Sequence, residues 1–396
     1  MEEEKMREVL KERVRLKVSI IGVGNAGNQL LNEAIKHENV SVFAINSSDR
    51  DLENSVTDDS IKSFIVGIEG RGAGKKRDVG VKLFKQNGLQ LVTAVPAFKQ
   101  VCETADVIVV ACSTAGGTGS SISPNMVGLL KKMYPNKIVI FSGILPRTNA
   151  CIEEQENSIA CLADMMKYDV PYILTDLDYY GDMPNHEAFP KCQSYIMNCI
   201  DVITGKYLNM SKYGMIDEND MRMIIGQPGY LSIYNLSGVK QSDLDQRTMQ
   251  SMMIDLIKNS PAAPIMRDGI LKNMGAILNM PDDMTDASMS SNYTELQSYI
   301  GRPITTYENY ANVSTPTGQM IIILSGQTQP INRINQMQDI ANEIKENAKR
   351  QKSFDLSELT KDSITGSREI PKFIAGIGNK EEVDADSAAA EFFKNL

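Results

Sequence analysis

With 396 residues, 42% of them hydrophobic and 23% charged, the chain has the composition of a soluble globular protein with room for two cored units. A formal net charge of −9 disfavours direct binding to bulk nucleic acid, which needs a concentrated basic face, and no apolar run approaches the ~18 residues of a membrane span. Six cysteines without a CxxC pair and only two histidines argue against a zinc site and fit reduced thiols, and the charged start of the chain shows no secretory signal, so a cytoplasmic protein is expected.

Residues 1–15 read as a charged amphipathic helix, with Met6, Val9, Leu10 and Val14 at helical spacing. A buried strand is predicted over 16–22, passing through Gly22-Val-Gly-Asn-Ala-Gly-Asn-Gln29 into a helix to about His37. A second strand, 40–45, ends in Asn46-Ser-Ser-Asp49, and the carboxyl ends of strands are where open parallel sheets bind ligands. After a polar connection, residues 66–75 form a glycine-rich loop with Arg71, Lys75, Lys76 and Arg77; it either closes over phosphates or is a solvated surface loop.

The apolar run 105–111 then leads into Cys112-Ser-Thr-Ala-Gly-Gly-Thr-Gly-Ser-Ser121 and a helix from near Ser120 to Met133. Gly116, Gly117 and Gly119 let backbone N–H groups approach an anion, Thr118 and Ser120 add hydroxyls, and the following helix presents its positive end. The plain alternative is a flexible strand-to-helix turn. A strand over 137–141, the turn Gly143-Ile-Leu-Pro-Arg147, a helix over 152–168, a strand over 170–174 and a long helix from about Glu187 to Asn209 continue the alternation.

Past residue 221 the pattern becomes mixed: a strand over 229–236, a helix over 243–258, a short helix near 291–300, a strand over 320–324 and a helix over 331–351. The expected fold class is α/β, a doubly wound, mainly parallel-sheet lobe joined by a spine helix to a second α+β lobe. The expected division is an extension helix (1–15), a nucleotide-binding domain (16–186), the spine (187–210), an acidic loop with an α+β domain (211–352) and a tail (353–396). That tail reads as polar and mobile, with an apolar hook at Phe392-Phe393 suited to a partner or a neighbouring subunit.

Taken together, Gly24-Asn-Ala-Gly-Asn-Gln29, the strand-end Asn46, Arg71-Gly-Ala-Gly74 and Ala115-Gly-Gly-Thr-Gly-Ser120 resemble, in order and context, the tubulin/FtsZ superfamily of GTPases. The resemblance covers residues 16–350 and is nearest to the TubZ-type tubulins of plasmids and phages, with FtsZ- and CetZ-like proteins as alternatives. Ala115 departs from the family's glycine. The resemblance implies GTP/GDP and Mg²⁺ as cofactors, and no residue is singled out as a metal ligand. It implies Gly24, Asn25, Ala26 and Asn28 near the α- and β-phosphates, and Asn46, Ala73 and Gly74 near the γ-phosphate and metal. It further implies Ala115, Gly116, Gly117, Thr118, Gly119 and Ser120 cradling phosphate, Glu153 or Glu154 beyond Pro146 at the ribose, and Phe189 with Gln193 at the base. Asp176 or Asp178 is a further candidate for the base edge.

The segment Tyr213-Gly-Met-Ile-Asp-Glu-Asn-Asp-Met-Arg222 resembles the family's acidic synergy loop, with Met215 in place of an asparagine. On residues alone, Asp217 is a helix N-cap with Asp220 in the first turn; on the resemblance, Asp217 and Asp220 are catalytic in trans. The implied partners are further copies of the chain, stacked head-to-tail into a polar filament, and a DNA-bound adaptor on the tail, with a role in plasmid or phage DNA segregation. A filament that binds nucleotide without hydrolysing it is a second reading. A Rossmann dinucleotide enzyme fits Gly22-x-Gly24 but meets Asn46 where an acidic ribose partner is needed.

Overall fold

In the computed structural model, described over residues 15–211, 214–281, 284, 293–355 and 385–395, ten strands form one mixed sheet. β1 (Val18–Val23), β2 (Val40–Asn46), β3 (Lys62–Ile65), β4 (Val107–Ser113), β5 (Ile138–Leu145) and β6 (Pro171–Asp176) are parallel, in the order β3-β2-β1-β4-β5-β6. Every residue of β1 is buried, and in β4 all but Ser113. Helices cover both faces, which is why these strands read as continuous apolar runs and not as alternating ones.

The crossovers are α1 (Gly24–Ala34), α2 (Asp49–Ser55), α3 (Arg77–Ala94), α4 (Pro96–Thr104), α5 (Gly117–Met133) and α6 (Ile152–Met165), followed by α7 (Asn185–Ile203). Between residues 47 and 104, where the sequence pattern suggests a polar connection and a loop, the chain folds α2, β3, α3 and α4. The apolar stripe of α3 is thin because Gly80 and Gly88 replace side chains where Ser121 and Phe393 pack against it. The helix expected to reach Asn209 stops at Ile203, where Gly205 takes φ +78° and ends it.

The sheet continues through β7 (Gly229–Val239), β10 (Gly318–Gln327), β8 (Asn273–Pro281) and β9 (Thr305–Val313). β7 joins β6 in parallel only at Pro171–Gly229 and Tyr172–Tyr230. β10 is antiparallel to both β7 and β8, and β8 and β9 are parallel. Around this half lie α8 (Glu218–Ile225), α9 (Gln241–Gln246), α10 (Met249–Lys258), α11 (Thr294–Ile300) and α12 (Ile331–Asp355). The single helix expected over 243–258 is broken because Thr248 starts a new one, its hydroxyl accepting from Ser251 N. α7 is tied to the second half by Tyr195, whose hydroxyl donates to Ile233 O at 2.9 Å.

α13 (Ala385–Asn395) lies on α3 and α5, so the apolar hook expected to meet a partner is seated on its own chain. The N-terminal helix expected before Arg15 and tail residues 356–384 lie outside the described residues. Among the described residues no helix is long and apolar enough to cross a membrane.

Candidate functional site

Helices α1, α2, α5, α6 and α7 all begin at the carboxyl edge of the parallel strands, around a cleft of about 1100 Å³. Two of these starts are left open. Val23, before α1, and Gly116, before α5, make no side-chain cap bond, and neither helix has an acid in its first turn. Their first N–H groups have no intrahelical partner, and the helix dipole adds positive potential, so both ends suit an anion.

Close backbone packing builds the rim. Gly24 has φ +72°, and a Cβ there would sit 3.1 Å from Gly119 N. A Cβ on Gly117 would fall 2.8 Å from Lys75 Cα, so the 71–76 loop rests directly on the start of α5. Asn157 stitches the two together, donating to Lys75 O at 2.8 Å and Ala115 O at 3.0 Å. The hydroxyls of Ser47 and Thr118 meet at 2.6 Å. Across the mouth, Lys75 Nζ pairs with Glu154 Oε1 at 2.9 Å, and that carboxylate holds the ammonium above its ordinary pKa. Ala115 keeps a negative φ, so its departure from glycine brings no backbone strain.

Of the residues singled out from sequence, Gly24, Asn25, Ala26, Asn46, Ala73, Gly74, Ala115, Gly116, Gly117, Thr118, Gly119, Pro146, Glu154, Phe189 and Gln193 line this cleft. Three do not. Asn28 is fully buried and holds Asn46 in place, donating to Gly22 O at 2.8 Å and Ile45 O at 3.2 Å and accepting from Asn46 Nδ2 at 3.0 Å. The Ser120 hydroxyl is buried and donates back to Gly116 O, the ordinary habit of a helical serine. Glu153, one position before Glu154, is not part of the wall, and Glu154 alone of the two lines it.

Asp176 and Asp178 are also absent from the wall, for a reason invisible in the local sequence. Arg333, 4% exposed, reaches from the first turn of α12 to Asp176 at 2.6 and 3.1 Å, to Asp178 at 3.1 Å and to Pro146 O at 2.6 Å. Asp178 further accepts from Thr148 N at 2.8 Å. The pair of carboxylates is a structural clamp on the ends of β5 and β6, and Arg333 belongs to the cleft's foundation. Arg71, Arg147, Asp51 and Cys151 line the cleft as well; Arg147 donates to Asn185 Oδ1 at 3.1 Å and to Met183 O, fixing the entry to α7. The Pro146-Arg147 turn was a sequence signal for it.

Asp217 and Asp220 are elsewhere. They form a capping box at the start of α8: Asp217 Oδ1 accepts from Asp220 N at 2.8 Å, and Asp220 Oδ2 from Asp217 N at 3.2 Å. α8 is anchored at the opposite edge of the sheet. Arg222 Nη2 meets Asp106 Oδ1 at 2.7 Å, and Asp106 Oδ2 accepts from Lys17 N at 2.8 Å, at the amino ends of β4 and β1. Seven strand residues at about 3.3 Å each put that edge roughly 20 Å from the cleft.

An open α/β sheet whose uncapped, glycine-rich helix starts converge on a polar cleft has the geometry to accept an anion at the carboxyl edge of its strands. Residues 17–178 match the Tubulin/FtsZ family, GTPase domain. It is 27% identical over 220 residues to the tubulin-like protein TubZ of Clostridium botulinum C phage, covering 53% of this chain and 56% of that protein. With cell division protein FtsZ 1 of Thermococcus kodakarensis it shares 24% identity over 270 residues, 65% of this chain and 66% of that one. Both matches span less than two thirds of the relative's length. The fold is also that of the GTPγS-bound protofilament of CetZ2 from Haloferax volcanii, with a TM-score of 0.67 and 15% identity, covering 83% of this chain and 100% of that one.

Proposed function

We propose that the protein binds GTP in the cleft and hydrolyses it on head-to-tail assembly into a polar filament. One observation carries the reading: the cleft and the acidic start of α8 occupy opposite edges of one sheet, so they cannot meet within a chain but face each other when copies stack along the strand direction. The family match supports GTP as the guest, and the protofilament arrangement of CetZ2 from Haloferax volcanii supports the stacking.

In this reading the open starts of α1 and α5 take the phosphates, with Asn46, Ala73 and Gly74 at the terminal one. Glu154 meets the ribose. Phe189, half-buried on the wall, stacks on the base; Gln193 donates its Nε2 to Ala26 O at 3.1 Å, which leaves Oε1 to accept from the guanine N–H edge. Among the described residues no cluster of three or more His, Cys, Asp or Glu is placed to hold a metal. The exposed Asp51 and the Ser48 hydroxyl fit a hydrated Mg²⁺ carried in on the phosphates, where it would offset their charge. From the next subunit, Asp217 and Asp220 orient the attacking water. The cargo we assign is plasmid or phage DNA, held through an adaptor; an FtsZ-like or CetZ-like role in division or shape is the alternative.

The capping box favours one other reading. Both carboxylates already bond within α8, as in a filament protein that binds nucleotide but does not turn it over. Asp217→Asn and Asp220→Asn separate the two, because asparagine keeps the cap and removes the charge. Phosphate release from GTP, followed against protein concentration with pelleting of the same samples, should rise with polymer in the wild type. In the variants it should fall about a hundredfold while pelleting persists. Wild-type polymer without phosphate release would leave the non-hydrolysing reading; release linear in protein without polymer would overturn assembly-coupled hydrolysis.

A further inference from the structure

The face made by α3 and α5 is covered by the chain's own C-terminal helix. Ala389 is fully buried and Phe392 6% exposed, both in one apolar cluster with Phe84, Leu129 and Leu130. Phe393 packs tilted on Phe84 with ring centroids 5.2 Å apart, and Lys132 Nζ lies 5.4 Å over the Phe392 ring. α3 is notched to receive this end, since a Cβ on Gly88 would come within 2.7 Å of the Phe393 ring.

The other ends of the same two helices meet beneath the cleft. A Cβ on Gly80 of α3 would lie 2.0 Å from Ser121 Oγ and 3.0 Å from Gly117 O of α5, and Gly117 is where the 71–76 loop rests. That loop runs straight into α3. The principal neighbours of α3 are α5, α13 and α4, not a strand, so α13 supplies a large part of what holds α3 in place. One helix pair thus carries the cleft's covering loop at one end and the C-terminal helix at the other.

We propose that α13 is a clamp whose docking in the α3–α5 notch is coupled to nucleotide in the cleft; the inference rests on the nucleotide-binding reading above. Docked, it keeps α3 against α5 and so keeps residues 71–76 over Gly117. Nucleotide that fixes this loop favours the same arrangement and tightens the docking. The coupling is reciprocal, because both events select one arrangement of the same helix pair.

The test uses the full chain. The double variant Phe392→Ser/Phe393→Ser should bind a fluorescent GTP analogue at least about fivefold more weakly than the wild type, whereas Ala390→Ser, on the exposed face of α13, should not differ. In the wild type, which needs no substitution, saturating nucleotide should slow hydrogen exchange of the amides in 385–395 by a similar factor. Affinities within twofold of each other, or exchange in α13 indifferent to nucleotide, would overturn the coupling alone. No binding by the wild type would overturn the nucleotide reading and the coupling with it.

Discussion

Two helices begin at opposite edges of the same sheet, and their first turns are built in opposite ways. α5 starts on Gly116-Gly117, uncapped and free of acids, with a loop and another helix start packed so closely that only glycine fits. α8 starts on Asp217 with Glu218 and Asp220 in its first turn, and its own carboxylates accept from the N–H groups of Asp217 and Asp220. The first leaves donors and positive potential unspent; the second spends them and keeps a surplus of negative charge at the surface. The difference gives the chain a polarity along the strand direction, an anion-accepting edge and an anionic one, before any ligand or second copy is considered.

The largest expected effect lies in the foundation of the accepting edge. Arg333→Met should cost about 3–5 kcal/mol of stability, because it leaves Asp176 buried without its partner. Burial already pushes the Asp176 carboxyl above its ordinary pKa against the pull of Arg333. Without the guanidinium its folded pKa rises further above the unfolded one. A raised folded pKa gives stability that is present at low pH and lost as the pH rises, so the deficit of the variant should shrink as pH falls toward the ordinary aspartate range. Urea midpoints at neutral and acidic pH measure this; a deficit that grows in acid would contradict the clamp.

A pair of substitutions, one at each edge, sets the contrast directly. Gly117→Ala pushes a methyl against the Lys75 backbone and should weaken nucleotide binding about a hundredfold, while circular dichroism shows the fold retained. Asp217→Ala should leave that affinity unchanged and lower stability by about 1 kcal/mol through the lost cap. If both variants change affinity alike, the two edges are not independent, and the contrast between them fails.

Much of the accepting edge was legible in the residues. β1 and β4 announce themselves as unbroken apolar runs because both faces are covered, and the glycines that follow mark helix starts that nothing caps. What stayed hidden depends on distant partners. Arg333 acts on Asp176, far away in the chain, and nothing near either residue signals it. α3 lost its periodicity to glycines whose purpose is contact with α5 and α13. Asn28 and Ser120 share a motif with wall residues, yet their side chains point into the protein, because a helix distributes neighbouring positions around its axis. Asp217 and Asp220 carried two meanings, and the cap is the one the fold displays; the catalytic one needs a second copy.

The smallest effect concerns the Lys75–Glu154 strap across the cleft's mouth. The Lys75 side chain is 56% exposed and that of Glu154 29%, so Lys75→Met should change stability by less than about 1 kcal/mol. Its consequence should show in access to the cleft. Of the six cysteines only Cys151 is exposed, and it lines the cleft beside Glu154, so a thiol reagent reads that wall alone. Bound nucleotide should slow labelling of Cys151 in the wild type. Cutting the strap should return about threefold of that protection, the ratio that roughly 0.7 kcal/mol gives. Because the pair is exposed it is screened by ions, and 0.5 M salt should bring the wild type close to the variant. Protection unaltered by Lys75→Met would mean that the glycine packing closes the mouth by itself, and the accepting edge would then owe its shape to backbone contacts alone.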